Sequence, residues 1–379
     1  MSGLFRPLGL AIAILAAPVT AFAQEEIVIG AAVPITGTFA ASGVQYHNSL
    51  KMAQEDSNAA GGINGKKLRI AFEDTQANNT VAVNAFIKLV KQYNPPFIFL
   101  PSLSTQNLAM EPEVTKAKIP TLYAGGAVAV HERKSPYMFR IRPPDSLQGS
   151  AIAFGVTDVL KKSKPGILYT QDDYGLGAAN AVEAILAKSN IQIVGKEAFA
   201  PRDNDFSAQL LSLKNKGADV IIAFTYNRDG ALILKQRKSL GIDLPYIGGA
   251  AIIAPSTLDL VEPGDLEGVY GAGDTVLGES VSPASAEFVK RYNAQFGFRP
   301  DPFGAAYYDG AMMIAEGLRK VGTDPEKLRA YLAGIKDYKG VTRTFATDEN
   351  NNMANGVVLV KFKSGSKDFE VAAHYPAKN

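Results

Sequence analysis

Short apolar runs alternate along this chain with longer stretches whose apolar residues recur at helical spacing. Residues 27–33 (IVIGAAV) predict a buried strand that Pro34 ends. A loop with Thr36, Gly37, Thr38, Ser42 and Gly43 then leads into a helix over 44–59, with Leu50, Met52 and Ala53 as its apolar contacts. After the tight turn Gly61-Gly62-Ile63-Asn64-Gly65, residues 68–72 alternate as a strand that Asp74 closes. Residues 78–93 predict a helix, opened by Asn78-Asn79-Thr80. Residues 97–100 (FIFL) have the aromatic and β-branched bias of a strand buried on both faces, and Pro101 stops it. Ser102, Ser104, Thr105, Gln106 and Asn107 follow, then Leu108, Met110 and Val114 at helical spacing, and the next apolar run is 120–126 (PTLYAGG).

A second series begins after 137–142 and Pro143-Pro144. Residues 146–160 predict a helix, 166–169 a strand, and Asp172-Asp173-Tyr174-Gly175 a turn into a helix through Val182, Ile185 and Leu186. Residues 191–199 predict a strand, Asp205 caps a helix holding Leu210, Leu211 and Leu213, and 219–224 is a buried strand. Thr225, Tyr226, Asn227, Arg228 and Asp229 then open a helix that runs to Leu240. Beyond Gly268 the periodicity gives helices over 287–296, 303–321 and 325–332, and antiparallel-type strands over 357–362 and 369–374. Strand and helix alternating without interruption predict parallel sheets built from βαβ units. The fold class is therefore α/β.

Composition narrows the setting. Arg6, an apolar run from Leu8 to Val19 and Ala21-Phe22-Ala23 make a cleavable secretory signal over residues 1–23, with the mature chain starting near Gln24. The run is shorter than the roughly 20 residues of a membrane span. About 356 residues remain, more than one core usually supports, which predicts two lobes. There is no cysteine, so disulfides, thiolate metal sites, a cysteine nucleophile and a lipid-anchor cysteine are all excluded. With 39 basic and 37 acidic residues, charge gives no reason to expect nucleic acid or an anionic membrane as partner. The expected place is a bacterial periplasm.

Candidate chemistry gathers where strands end. No G-x-G-x-x-G follows the first strand, and neither a phosphate-binding G-x-x-x-x-G-K-[ST] nor a G-x-S-x-G elbow occurs. His47, His131 and His374 lie far apart without metal-ligand spacing, so no metal and no cofactor is expected. The loop after 97–100 is where an open α/β sheet binds ligands, since unpaired N–H groups and the helix dipole favour a carboxylate there. Ser102 or Ser104 either caps the helix or holds such a ligand. Asp172-Asp173 reads as a turn with one Asp capping a helix. Tyr174 and Tyr226 open equivalent loops of the second series, where each ring either packs in the core or covers a ligand.

Several phrases in this order resemble one family. They are IVIGAAVPITGTFAASG, AAGGINGKKLRI, PSLSTQ, RIRPPDSLQG, DDYG and ADVIIAFTYNRDG. The chain resembles the type I periplasmic binding proteins of ABC importers, in the leucine/isoleucine/valine-binding group. The resemblance implies two Rossmann-like lobes with parallel-rich sheets, joined by a three-strand hinge and closing on ligand. It implies a first lobe of 24–144 plus about 275–348 and a second of 145–274 plus about 349–379. It places the family's carboxylate-binding serine on Ser102, the loop after the next strand on 123–127, and the family's threonine on Ala127. A second-lobe tyrosine falls on Tyr226, and the acid that receives an amino acid's ammonium falls on Ala250.

The expected protein is a non-enzymatic, monomeric receptor that delivers a carboxylate-bearing solute or amino acid to an ABC permease in the inner membrane. An amide- or urea-type solute receptor and a signalling module are the alternatives. On the first lobe the candidate ligand residues are Ser102, Ser104, Thr105, Tyr123, Gly125 and Gly126. On the second they are Tyr174, Tyr226 and Ala250. Asp172, Asp229 or Asp274 could replace the acid missing at Ala250, and Arg228 could draw a second carboxylate.

Overall fold

The computed structural model describes residues 25–278 and 281–376, and the expected signal sequence lies outside them. Strands β1 (Glu26–Val33), β2 (Lys67–Asp74), β3 (Ile98–Phe99), β4 (Thr121–Tyr123) and β5 (Met138–Arg140) form an all-parallel sheet in the order β2-β1-β3-β4-β5. Helices α1 (Ala40–Ala59), α2 (Asn79–Tyr93), α3 (Ser104–Ala117) and α4 (Val128–Glu132) connect them. Asn78 opens α2 as read from the sequence, its Oδ1 accepting from Val81 N at 3.1 Å. The run 97–100 pairs only over Ile98–Phe99, yet all four residues are fully buried.

The second lobe opens with α5 (Asp145–Phe154), which continues through a π-helical turn at Gly155–Val159. It then runs β6 (Pro165–Thr170), α6 (Asp173–Lys188), β7 (Gly195–Phe199), α7 (Ser207–Asn215), β8 (Val220–Phe224), α8 (Asn227–Ser239), β9 (Tyr246–Gly248), α9 (Pro255–Leu258) and β10 (Val269–Gly273). Asp205 does not cap α7: the cap position is Phe206, and Asp205 accepts from Ser207 N instead. After α10 (Pro283–Phe296), α11 (Pro302–Val321), α12 (Pro325–Ala333) and the small ribbon β11 (Tyr338–Lys339) with β12 (Thr344–Phe345), the chain returns. Strands β13 (Val357–Phe362) and β14 (Phe369–Tyr375) complete a sheet in the order β14-β13-β10-β9-β8-β6-β7. Among the described residues, only β10–β13 and β13–β14 pair antiparallel in it.

Helices α10, α11 and α12 belong to the first core. Tyr46 and Leu50 of α1 share it with Tyr307, Ile314 and Leu318 of α11, Tyr292 of α10 and Leu328 of α12. Each fully buried leucine or isoleucine there contributes about 1.5–3 kcal/mol. The chain thus passes between the lobes three times. It does so at 141–144, after Gly273, and between Met353 in the first core and Val357 in the second sheet. Helices are drawn hard onto strand ends in both lobes, because a Cβ at Gly43 would lie 1.7 Å from Pro34 O and one at Gly175 2.0 Å from Thr170 O.

Candidate ligand cleft

The C-terminal ends of both sheets face a cleft with about 500 Å³ of empty space, counting the solvent at its mouth. This is where open α/β sheets take ligands. On the first lobe, the loop after β3 is held from below by aromatic rings. Tyr307 stacks on Tyr46 with centroids 4.7 Å apart, and its hydroxyl donates to Leu100 O at 2.5 Å. Tyr46 Oη in turn lies 2.7 Å from Ser102 Oγ. Burial drives the Tyr46 pKa far up, so this phenol stays protonated. Ser102 is not a helix cap. The cap position of α3 is Leu103, and no side chain among the described residues caps the first N–H groups of the helix.

The second lobe is arranged otherwise. Asp172 caps α6, accepting from Gly175 N at 2.8 Å, and its other oxygen accepts from Tyr226 Oη at 2.9 Å. Burial raises the Asp172 pKa, opposed by those two donors. Tyr226 lies 5.3 Å from Tyr174, and meets Phe39 of the first lobe edge-on at 4.6 Å. That last pair spans the cleft, so the lobes meet. Ala250 and Ala251, at the start of a 3-10 turn after β9, form an apolar wall between them.

Behind the cleft the three passages are tied by charge. Arg142 from the first passage places Nε 2.8 Å from Asp274 Oδ2 and donates from Nη2 to Oδ1 at 2.9 Å, with both side chains 7% exposed. Arg343, at the end of the ribbon turn between β11 and β12, donates to Asp274 O and to Gly356 O. Gln148 Nε2 donates to Ala272 O at 3.2 Å. Asp145, fully buried beside Gly126, has no hydrogen-bond partner for either carboxylate oxygen among the described residues, and burial pushes its pKa up to about 6.

Of the residues read from the sequence, Ser102, Gly126, Tyr174, Tyr226 and Ala250 come together on the cleft surface. Four do not. Ser104 is buried with its Oγ accepting from Ala127 N at 3.1 Å, and Gly125 packs against Asn107 Oδ1. Tyr123 is buried under the Arg140 guanidinium, and Thr105, on the first turn of α3, is outside the cleft lining. The acids weighed as replacements at Ala250 are all engaged: Asp229 with Arg228, Asp274 with Arg142, and Asp172 with Tyr226. Arg228 is exposed and turned to Asp203 O and Asn204. The cleft adds Phe39, Phe303 and Arg142, which the sequence reading did not single out. Arg142 had a signal: it follows Arg140 in an otherwise apolar run directly before Pro143-Pro144.

Two α/β lobes, three passages between them and a cleft at their strand ends define a two-lobed solute receptor. A sequence profile of the periplasmic binding protein family matches residues 26–367, and the chain belongs to that family. It is 30% identical over 327 residues to Leu/Ile/Val-binding protein homolog 8 of Brucella suis, covering 82% of this chain and 81% of that one. It is 27% identical to an amino acid binding protein of Pseudomonas aeruginosa, over 82% of this chain and 83% of that one. Among solved structures, it superposes at a TM-score of 0.83 on the branched-chain amino acid transporter substrate binding protein LivJ of Streptococcus pneumoniae, in complex with isoleucine. The two are 26% identical over 92% of this chain and 99% of that one. The fold is shared with an ABC-transporter solute binding protein of Rhodopseudomonas palustris in complex with 3,4-dihydroxybenzoic acid, at 23% identity and a TM-score of 0.84. That match covers 93% of this chain and 98% of that one. The expected family and fold class are thereby borne out, and the protein is related to the branched-chain amino acid substrate-binding proteins of ABC transporters. Among the described residues, no helix is long and apolar enough to cross a membrane.

Proposed function

We propose that this protein captures a small aromatic or aliphatic carboxylate that lacks an α-ammonium, and delivers it as a monomer to an ABC permease in the inner membrane. The observation that carries this is the makeup of the cleft. Among the described residues no carboxylate lines it, Ala250 and Ala251 form its wall, and five rings (Phe39, Tyr46, Phe303, Tyr174 and Tyr226) surround it. A buried ammonium without a negative partner costs several kcal/mol, against about 8 kcal/mol for micromolar binding. A ring or alkyl end meets no such penalty. Either hydroxyl can donate in the Tyr46–Ser102 contact, and when Tyr46 donates, the serine proton is free for the solute's acid group, beside Gly126 and the first turn of α3. The protein acts by capture and release, without a catalytic step or cofactor.

The rival solute is a branched-chain amino acid, which the names of the relatives favour. Calorimetry with leucine, phenylalanine and 4-hydroxybenzoate separates the two. The deaminated acid is expected to bind with micromolar affinity and leucine far more weakly. Micromolar leucine binding with no response to the acid overturns the proposal. Ala250→Glu is expected to reverse the order by restoring a partner for the ammonium.

A further inference from the structure

Among the described residues, Arg142 is the one charged side chain on the cleft surface. It reaches that surface from the first passage between the lobes, two residues beyond the end of β5. Its guanidinium is immobilised on two sides. Nε and Nη2 sit on the two oxygens of Asp274, and the plane lies over the Phe303 ring with Cζ 5.0 Å from the centroid. Nη1 makes no hydrogen bond to the described residues and remains open to solvent. A guanidinium offers five donors in a rigid fork, and here part of that fork is left over after the structural pairing.

Burial works against the Arg142 charge, but Asp274 and Asp145 outweigh it and push its pKa up, so the group stays cationic. Its charge acts on the same end of the cleft as Ser102: burial raises the pKa of the Tyr46 hydroxyl, which contacts Ser102, and the Arg142 charge opposes that rise. A cation in a confined, ring-lined cleft, with its orientation already fixed, is arranged to receive an anion without a reorganisation cost.

We infer that Arg142 is the charge anchor for the solute: Nη1 donates to an oxygen of its acid group, and the receptor thereby selects the anion over its neutral isostere. This rests on the reading of the solute as a carboxylate. It also assigns the selectivity to a hinge residue, because the same guanidinium joins the first and second passages through Asp274.

The test compares acids with their primary amides, which have the same shape but no charge. Calorimetry is run with benzoate, 4-hydroxybenzoate and 3-phenylpropionate against benzamide, 4-hydroxybenzamide and 3-phenylpropionamide, with leucine alongside. The unaltered protein is expected to bind at least one acid about 10- to 100-fold more tightly than its amide, the worth of a hydrogen bond to a charged group. The variant R142Q/D274N removes both buried charges together, so that neither is stranded. It is expected to lose that preference, with acid affinity falling about 10- to 100-fold and amide affinity within about threefold of the original. R142K keeps a charge but not the fork, and serves if the double variant does not fold. It is expected to weaken the acid several-fold and leave the amide unchanged. Equal losses for acid and amide in these variants would show a purely structural arginine and overturn the inference alone. Failure of every acid to bind the unaltered protein, with leucine bound, overturns the functional reading and this inference together.

Discussion

Helix α3 in the first lobe and helix α6 in the second begin at equivalent places, where a buried strand gives way to a polar loop, yet their first turns are spent differently. At α6, Asp172 occupies the first N–H groups and also takes the Tyr226 hydroxyl. At α3, Leu103 holds the cap position, and Ser102 is bonded to Tyr46 instead of the helix. The first lobe keeps its donors for a ligand, while the second has satisfied its own and offers rings. On the proposed reading, an anion docks on the first lobe and the second lobe covers it.

The sharpest way to probe this contrast is a third helix start at the cleft, that of α11, whose residue Phe303 lines it. Its cap Asp301 accepts from Gly304 N but leaves Oδ2 without a partner among the described residues, and burial lifts its pKa from 3.8 to about 7. A native pKa above the unfolded one means the native state holds the proton more tightly. That stabilisation is full below the unfolded value and is lost as pH rises through about 7. Asp145 and Asp309, each raised to about 6 by burial, act in the same direction. Asp301→Asn keeps an equally good cap without the charge. It is expected to raise stability at pH 8 by on the order of 4 kcal/mol and to flatten the pH dependence between 5 and 8, since each tenfold difference in proton affinity between the native and unfolded states is worth about 1.4 kcal/mol. Urea unfolding at the two pH values measures this, and an unchanged slope would show that the carboxylate is not the source.

Next in size is Ser102→Ala. Because Ser102 is no cap, the loss should appear in affinity, about 1.5–3 kcal/mol for an anionic ligand, with little change in melting temperature. A loss of stability matching the loss of affinity would return Ser102 to a structural role. Asp172→Ala should do the reverse and do less. Removing the cap is expected to cost about 1 kcal/mol of stability, and affinity should fall less than in Ser102→Ala. Thermal unfolding and titration of the two variants side by side decide whether the lobes divide their duties in this way.

The alternation of strand and helix was legible because apolar period and punctuation agree at each boundary, as at Pro34, Asn78 and Pro101. The later helices were legible as helices, but their place in the first core depends on contacts such as Tyr46 with Tyr307, which no local pattern encodes. The cleft was half legible. Ser102, Tyr174 and Tyr226 sit at strand ends, where position alone suggests exposure to a ligand. Ser104 and Gly125 share that position, but they face inward because the close approach of two loops turned them there. Arg142 stands in the motif RIRPPDSLQG with nothing local to mark it, because its ion-pair partner Asp274 lies 132 residues later.

The edge-on contact of Phe39 with Tyr226 bears on timing more than on choice. Each lobe supplies one ring, so any widening of the cleft parts them and gives up about 0.5–1.5 kcal/mol. That contact involves no atom of the solute, so it acts alike on every guest. Its effect is on dwell time, which lengthens on the order of two- to tenfold for a captured molecule. On the proposed reading, the ring pair is a clasp whose stiffness sets how long a cargo is held between capture and hand-over.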